Sequence, residues 1–147
     1  MKNVKKILIA SDHAGYCLKE KIIVFLNKQN FEIENLGTNS KKSSDYPENA
    51  HILCKLIKDG QNLGILICGS GIGMSIVANR YQKIRAALCL NEKMVKLSRK
   101  HNNANVLVLG SRLISYDLAT KCIIRFVQTS FEAGRHLRRL NKINTGL

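Results

Sequence analysis

Short apolar runs alternate with amphipathic segments along this chain. Residues 4–10, 31–36, 64–67, 84–89 and 105–109 are apolar stretches of strand length. Between them the apolar period changes. Leu18, Ile22, Phe25 and Leu26 recur at helical spacing and predict a helix over 18–28. Ala50, Leu53, Cys54 and Ile57 predict a second helix, with Pro47 at its first position, an end near Lys58 and Gly60 closing it. Residues 74–79 read as the first turns of a third. Asn91 caps a fourth running to about Lys100, and Ser115 or Asp117 starts a fifth that ends near Gln128. A basic segment, 133–144, predicts a sixth. Strands alternating with helices imply one α/β domain over 1–147, with a parallel sheet and right-handed crossovers.

Composition narrows this picture. The chain has 147 residues, 45% of them hydrophobic and only one of them proline, which suits a packed core. No apolar stretch is long enough to span a bilayer, and the apolar run at 7–10 is too short for a signal segment, so a cytoplasmic protein with no membrane partner is expected. The five cysteines are odd in number and form no C-x-x-C, which indicates neither a disulfide framework nor a zinc ribbon. His13 with Cys17, and His51 with Cys54, have helical-neighbour spacing. Two separate pairs do not make a four-ligand site, and no metal is expected.

The formal charge is +14. Such a charge fits a nucleic-acid partner or lysines scattered over solvated faces. The lysines do scatter, while Arg125, Arg135, Arg138 and Arg139 gather near the end of the chain. Arg135 and Arg139 share a helix face. Side by side they repel unless an anion lies between them, and a phosphate fits them bidentately. A solvated basic helix or a nucleic-acid surface would use the same residues.

Residues 64–74 carry the clearest chemistry. The apolar run ends at Cys68, Gly69, Gly71 and Gly73 alternate after it, and a helix follows. Met74 rules out the dinucleotide fingerprint, and no lysine follows to make a P-loop. What remains is an anion or oxyanion site, or simply a tight connection. Cys68 at a strand's carboxyl end favours the site. Strand one delivers Asp12 and His13 to that edge, strand five delivers Gly110 and Arg112, and the helix after strand four ends in His101 and Asn102. The expectation is that these residues gather at one edge of the sheet. Singly, each has an ordinary alternative: Asp12 as a helix cap, His13 and His101 at helix ends, Asn102, Asn103 and Asn105 in a polar turn, Arg112 in solvent.

The segments IASDHAGY (9–16), DYP (45–47), GILICGSGIG (64–73), IRAA (84–87), RKHNNANVL (99–107) and FEAGRH (131–136) together resemble type B ribose-5-phosphate isomerases. Galactose-6-phosphate isomerase subunits share much of the pattern. The resemblance implies a three-layer, Rossmann-like α/β/α domain with five parallel strands. It implies an aldose–ketose isomerase without metal or organic cofactor, acting on ribose 5-phosphate and ribulose 5-phosphate. It also implies homodimers or homotetramers whose active sites draw on two subunits.

Carried over by position, Cys68 is the base that moves a proton between C1 and C2, with Ser70 beside it. His101 helps open the furanose ring. Asp12 and His13 contact the sugar, Asn102 binds its hydroxyls, and Arg112, Arg135 and Arg139 take substrate and phosphate. Tyr46 lines the pocket. Two departures stand out: Asn103 replaces a common Asp, and Ala133 replaces a common Gly.

The chemistry these residues imply is coherent. A thiol ionises near about 8.5 and a helix N-terminus lowers that value. The N–H groups of Gly69, Ser70, Gly71, Ile72 and Gly73 form an oxyanion hole, typically worth ~3 kcal/mol per well-placed donor. Ring opening calls for an acid–base group of the kind histidine supplies, and His101 is the candidate. Galactose 6-phosphate or allose 6-phosphate is the alternative substrate. A nucleic-acid module is more remote, since aromatics are only 5% and no recognition motif appears.

Overall fold

The apolar runs at 7–10, 63–68 and 106–110 are buried on both faces, as the central strands of a parallel sheet between two helical layers must be. The computed structural model describes residues 6–146. Its elements are β1 (Lys6–Ser11), α1 (Tyr16–Lys28), β2 (Ile33–Asn35), α2 (Tyr46–Leu56), β3 (Asn62–Cys68), α3 (Ile72–Ala78), β4 (Ala86–Leu88), α4 (Glu92–Asn102), β5 (Val106–Gly110), α5 (Tyr116–Gln128) and α6 (Arg135–Leu140). The sheet order is β2-β1-β3-β5-β4, and every pairing is parallel. The expected three-layer α/β/α fold with five parallel strands is what forms.

Alternation along the strands builds two cores. Ile7, Ile9, Leu107 and Leu109 face one layer, with Ile22 and Leu26 of α1 and Ile123 and Phe126 of α5. Leu8, Ala10, Val106 and Val108 face the other, with Leu53 and Cys54 of α2 and Met74 and Ala78 of α3. Cys68 ends β3 on this second face.

Several boundaries differ from expectation, each for a physical reason. The first predicted strand began at residue 4, which lies outside the described residues. β2 and β4 have three residues each because they are edge strands, paired on one side. Asp12 is not the N-cap of α1, which is Gly15; its carboxylate accepts the Gly15 N–H at 3.0 Å and so shapes the turn before the helix. α2 stops at Leu56 because Ile57 is extended (ψ 122°), and Gly60 (φ +80°) shapes the following turn instead. Asn91 and Ser115 cap as expected, accepting the N–H groups of Met94 (2.9 Å) and Leu118 (3.2 Å).

The C-terminal basic helix is shorter than 133–144. Ala133 and Gly134 have φ of 56° and 54°, so the helix begins only at Arg135. Past Leu140 the chain tightens into turns, with Lys142 N–H donating to the Arg139 carbonyl at 3.0 Å and Ile143 N–H to the Leu140 carbonyl at 3.1 Å. The Asn144 amide leaves the helix direction to donate to the Gln82 carbonyl at 3.1 Å. Asparagine side chains compete with the helical backbone in this way.

A polar lock fixes the amino edge of the sheet. Arg85 N–H donates to Asn105 Oδ1 (2.8 Å), Arg85 Nε to the Asn103 carbonyl (2.9 Å), and Arg85 Nη2 to Asp59 Oδ1 (2.9 Å). Asn105 completes the set by donating to the Lys83 carbonyl at 2.7 Å. Burial alone would raise the Asp59 carboxyl. The hydrogen bond and charge of Arg85, with the Asn105 amide and Gly60 N–H, outweigh it and hold the group below its ordinary 3.8.

A depressed carboxyl pKa stabilises the fold fully above the unfolded value and ceases to do so as pH falls through the folded one. Wild-type stability measured by urea unfolding is therefore expected to fall between about pH 5 and pH 2 more steeply than that of Asp59→Asn. Parallel curves for the two proteins would contradict this. Ala133→Gly, which relieves a side chain at positive φ, is expected to raise stability by roughly 0.5–1 kcal/mol in the same measurement.

Candidate active site

Sheet register brings the first group of residues together. Ser11 pairs with Ile67 and Cys68 with Gly110, so Asp12, Cys68 and Ser111 stand at or just past three neighbouring strand ends. The chain runs outward in opposite directions from β1 and β3, and the crevice between their carboxyl ends is where open α/β sheets bind ligands.

Backbone amides organise the turn after β3. Gly71 N–H donates to Cys68 Sγ at 3.1 Å. Gly71 sits at φ +78°, and a Cβ there would lie 2.5 Å from Leu88 Cδ1 and 3.1 Å from the Leu109 carbonyl carbon. Ser70 Oγ accepts the Ile72 N–H at 3.2 Å, tightening the same turn. Gly69 and Gly73 let two side chains lie on bare backbone. The Arg112 guanidinium packs on Gly69 and the Tyr46 ring packs on Gly73, at 2.7 and 2.6 Å from where a Cβ would be.

The chain's thiols differ in surroundings. Burial pushes Cys54 up to about 12 and Cys89 and Cys122 up to about 11, so they remain protonated core groups. Cys17 is exposed. Cys68 is 4% exposed, at a strand end, with an amide hydrogen on its sulfur.

His13 is fixed by the long loop after β2. Its backbone N–H donates to Ser44 Oγ at 3.2 Å, and its Nδ1 lies 3.1 Å from the Ser44 N–H and 3.2 Å from the Ser44 carbonyl, so the ring is held by the Ser44 backbone in either tautomer. The start of that loop is held in turn by Lys19. Its fully buried ammonium donates to Glu20 Oε1 (2.6 Å) and Asn35 Oδ1 (2.9 Å), and Asn35 Oδ1 also accepts the Gly37 N–H at 3.1 Å.

The second group lies elsewhere. α4 returns across the sheet, so His101 and Asn102 at its end stand at the amino edge, just before β5. Strands of this length separate the two edges by roughly 15–20 Å. The expectation that one sheet edge gathers every candidate within one chain is thereby corrected: a helix following a parallel strand delivers its C-terminus to the opposite edge. Arg135 and Arg139 of α6 join His101 there. His101 stacks on His136, with ring centroids 4.2 Å apart and 13° between planes. Glu132 links the segments: its N–H donates to the Lys100 carbonyl (3.1 Å), and its carboxylate accepts from Lys100 Nζ (2.6 Å).

The sequence pointed to neither His136 nor Glu132 as site residues. His136 reads as one member of a basic run, and only long-range packing reveals its partner. Among the described residues, no carboxylate lies within 4.0 Å of Arg112, Arg135 or Arg139, and all three are exposed. Two surface cavities, of ≈310 and ≈340 Å³, both touch Arg85 at the amino edge, and neither includes Cys68.

The ribose/galactose isomerase pattern matches residues 7–143. The chain belongs to that family. It is 38% identical to ribose-5-phosphate isomerase B of Escherichia coli, over 95% of both chains. Its structure superposes on a ribose 5-phosphate isomerase of Thermotoga maritima with a TM-score of 0.91 and 49% identity, covering 96% of this chain and 98% of that one. A Mycoplasma genitalium ribose-5-phosphate isomerase B with bound ribulose-5-phosphate superposes with a TM-score of 0.92 and 40% identity, covering 96% and 95%. In this isomerase fold the glycine turn is therefore built on the same backbone frame as in proteins that handle sugar phosphates.

The turn's two kinds of glycine are separable by experiment. Gly71→Ala forces a side chain into both positive φ and backbone contact, and is expected to cost about 2–5 kcal/mol in thermal or urea unfolding. Gly69→Ala meets only the flexible end of Arg112 and is expected to stay within about 1 kcal/mol of wild type. Equal losses would show that the turn tolerates neither for the same reason.

Proposed function

We propose that this chain interconverts ribose 5-phosphate and ribulose 5-phosphate through an enediolate, with Cys68 as the base. The observation that carries the reading is the Cys68 sulfur held by the Gly71 N–H at the sheet's ligand crevice, in a member of the ribose/galactose isomerase family. Asp12 and His13 follow the end of the neighbouring strand β1, and Arg112 lies on the turn.

In the open-chain aldose, the Cys68 thiolate takes the proton from C2. The electron pair moves into the C1–C2 bond and the aldehyde oxygen becomes an enediolate oxygen. Of the turn's amides, those of Gly69, Ser70 and Gly73 supply donors for it, each worth about 3 kcal/mol when well placed, while the Gly71 and Ile72 amides hold Cys68 Sγ and Ser70 Oγ. The thiol returns its proton to C1, and the C2 hydroxyl proton passes to the C1 oxygen as the ketone forms, which leaves a C1 hydroxyl and restores the thiolate. Before this, the ring must open. His101 accepts the proton of the C1 hydroxyl and gives a proton to the ring oxygen as the C1–O4 bond breaks. Asn102 binds hydroxyls, Tyr46 bounds the pocket, and Arg135 and Arg139 hold the phosphate, whose binding energy positions the reacting carbons. No step draws on a metal or organic cofactor.

His101 and Cys68 of one chain stand on opposite sheet edges, so the complete site is formed between two copies, in a dimer or a tetramer. A two-fold contact lays the carboxyl edge of one protomer on the amino edge of the other. Ile72, Ile76, Leu113 and Tyr116, all at least 39% exposed beside the glycine turn, supply apolar surface for it. Among the described residues no helix is long and apolar enough to cross a membrane. A catalytic thiol and four further free cysteines suit the reducing cytoplasm.

The deciding measurement is formation of ketose from ribose 5-phosphate with chelator present; turnover only of allose 6-phosphate or galactose 6-phosphate would move the substrate to six carbons. Cys68→Ala is expected to lose at least about 10³-fold in kcat while still binding substrate, and wild-type turnover in it would end the proposal. Arg135→Ala with Arg139→Ala is expected to raise KM by about tenfold or more. Site sharing has its own test: Cys68→Ala and His101→Ala chains, each inactive alone, are expected to regain about a quarter of wild-type activity when unfolded together and reassembled at equal amounts. No recovery would place each whole site within one chain.

A further inference from the structure

The stacked pair His101–His136 contains a residue to which the reaction above gives no role. We propose that His136 is a positioning residue for ring opening: a flat imidazole platform that fixes the plane of the His101 ring. The inference rests on the reading of His101 as the ring-opening group.

Geometry comes first. The rings lie face to face, 4.2 Å apart at their centroids and 13° from parallel. His136 is 9% exposed, while His101 is half-buried. Stacking engages the face of His101 and leaves its two nitrogens, which lie in the ring edge, to exchange protons with a sugar. A ring whose plane is held delivers its lone pair along one direction, which is what a transfer between the C1 hydroxyl and the ring oxygen needs. His136 is itself anchored: its backbone N–H donates to the Ala133 carbonyl at 3.0 Å, within the turn that opens α6.

Charge supports the same assignment. Two imidazolium rings at this distance repel, so the second protonation of the pair is disfavoured. Every charged group around His136 can be named. Burial, then His101 on α4, then Arg135 and Arg139 on its own helix, hold it below the ordinary histidine value; Glu132 pulls the other way. Glu132 is a weak counterweight, because its Oε2 stands 4.0 Å from His136 Nε2 and its carboxylate is already engaged by Lys100 at 2.6 Å. His101, the half-buried member of the pair, is the one open to substrate.

His101, Glu132 and His136 also offer three ligand atoms within 4.8 Å of one another. Imidazole lone pairs lie in the ring plane, and nearly parallel planes give them no common point. The stack that suits a platform is thus a poor cation site.

Ring opening can be isolated from the proton transfer at carbon, because ribulose 5-phosphate cannot close to a furanose through its phosphorylated C5 oxygen. Exchange of deuterium from heavy water into its C1 position needs Cys68 but no ring opening. His136→Ala and His136→Phe are compared with wild type in both reactions, on protein whose unfolding curves match wild type. For His136→Ala the expected result is kcat on ribose 5-phosphate lower by about tenfold, KM within about twofold, and deuterium exchange within about twofold. His136→Phe, which keeps a flat ring and cannot titrate, is expected to recover most of the lost kcat and to retain the acid limb of the kcat–pH profile.

Equal losses in both reactions for His136→Ala, or no loss in either, would overturn the proposal. So would disappearance of the acid limb in His136→Phe, which would make His136 the proton carrier itself. Wild-type protein inactive in both reactions would instead remove the isomerase reading, and this inference with it.

Discussion

A helix that follows a parallel strand must return across the sheet, so its last residue stands at the edge where the next strand begins. That constraint governs this molecule. Strand ends carry Asp12, Cys68 and Arg112 to one edge, and helix ends carry His101, Asn102 and the approach to α6 to the other. A fold of this kind cannot bring a strand-end thiol and a helix-end imidazole together by adjusting loops, because the strands themselves set the gap. Two copies in opposed orientation would close it without altering either chain. The split between the edges is therefore a property of topology, and the proposed sharing of sites rests on it more than on any surface patch.

At the carboxyl edge, backbone shapes the candidate site. The thiol's neighbour is an amide hydrogen, and Arg112 and Tyr46 lie on glycines whose missing side chains make room for them. Amides fixed in a turn need no reorganisation as charge develops, unlike water or long side chains. The price is conformational: Gly71 must hold φ +78° against Leu88 and Leu109. Lys19 shows how far support extends. A fully buried cation that contacts no candidate ligand group anchors, through Asn35 and Gly37, the loop whose Ser44 holds His13.

Local rules read much of this chain. The β-α alternation, the caps at Asn91 and Ser115 and the glycine turn after Cys68 are all set by residues within a few positions of one another, and all appear where local chemistry puts them. Asp12 shows the limit of that reading. A cap and an Asx-type turn use the same carboxylate–amide bond, and only the helix's true start at Tyr16 distinguishes them. The family motifs marked His101 and Arg135 as site residues. Their edge was not legible, since spacing along a chain does not say which end of a returning helix a residue occupies. His136 was invisible for a related reason: its partner is 35 positions away, and stacking leaves no periodic trace.

The amino-edge group also explains why part of the +14 charge is clustered rather than scattered. Arg135 and Arg139 project from a helix of six residues whose own acidic neighbour, Glu132, is engaged by Lys100. Unpaired guanidiniums on so short a helix repel each other, and nothing within the described chain relieves them. In the proposed reading a dianionic phosphate does, and it would bring the sugar's reacting end within reach of a thiol only with the partner's carboxyl edge already in place. Anion capture and assembly would then favour each other: the phosphate would neutralise the arginines at the contact, and the contact would enclose the phosphate. Charge that would weaken an isolated protomer becomes, in the proposed pair, the feature that makes substrate part of the interface.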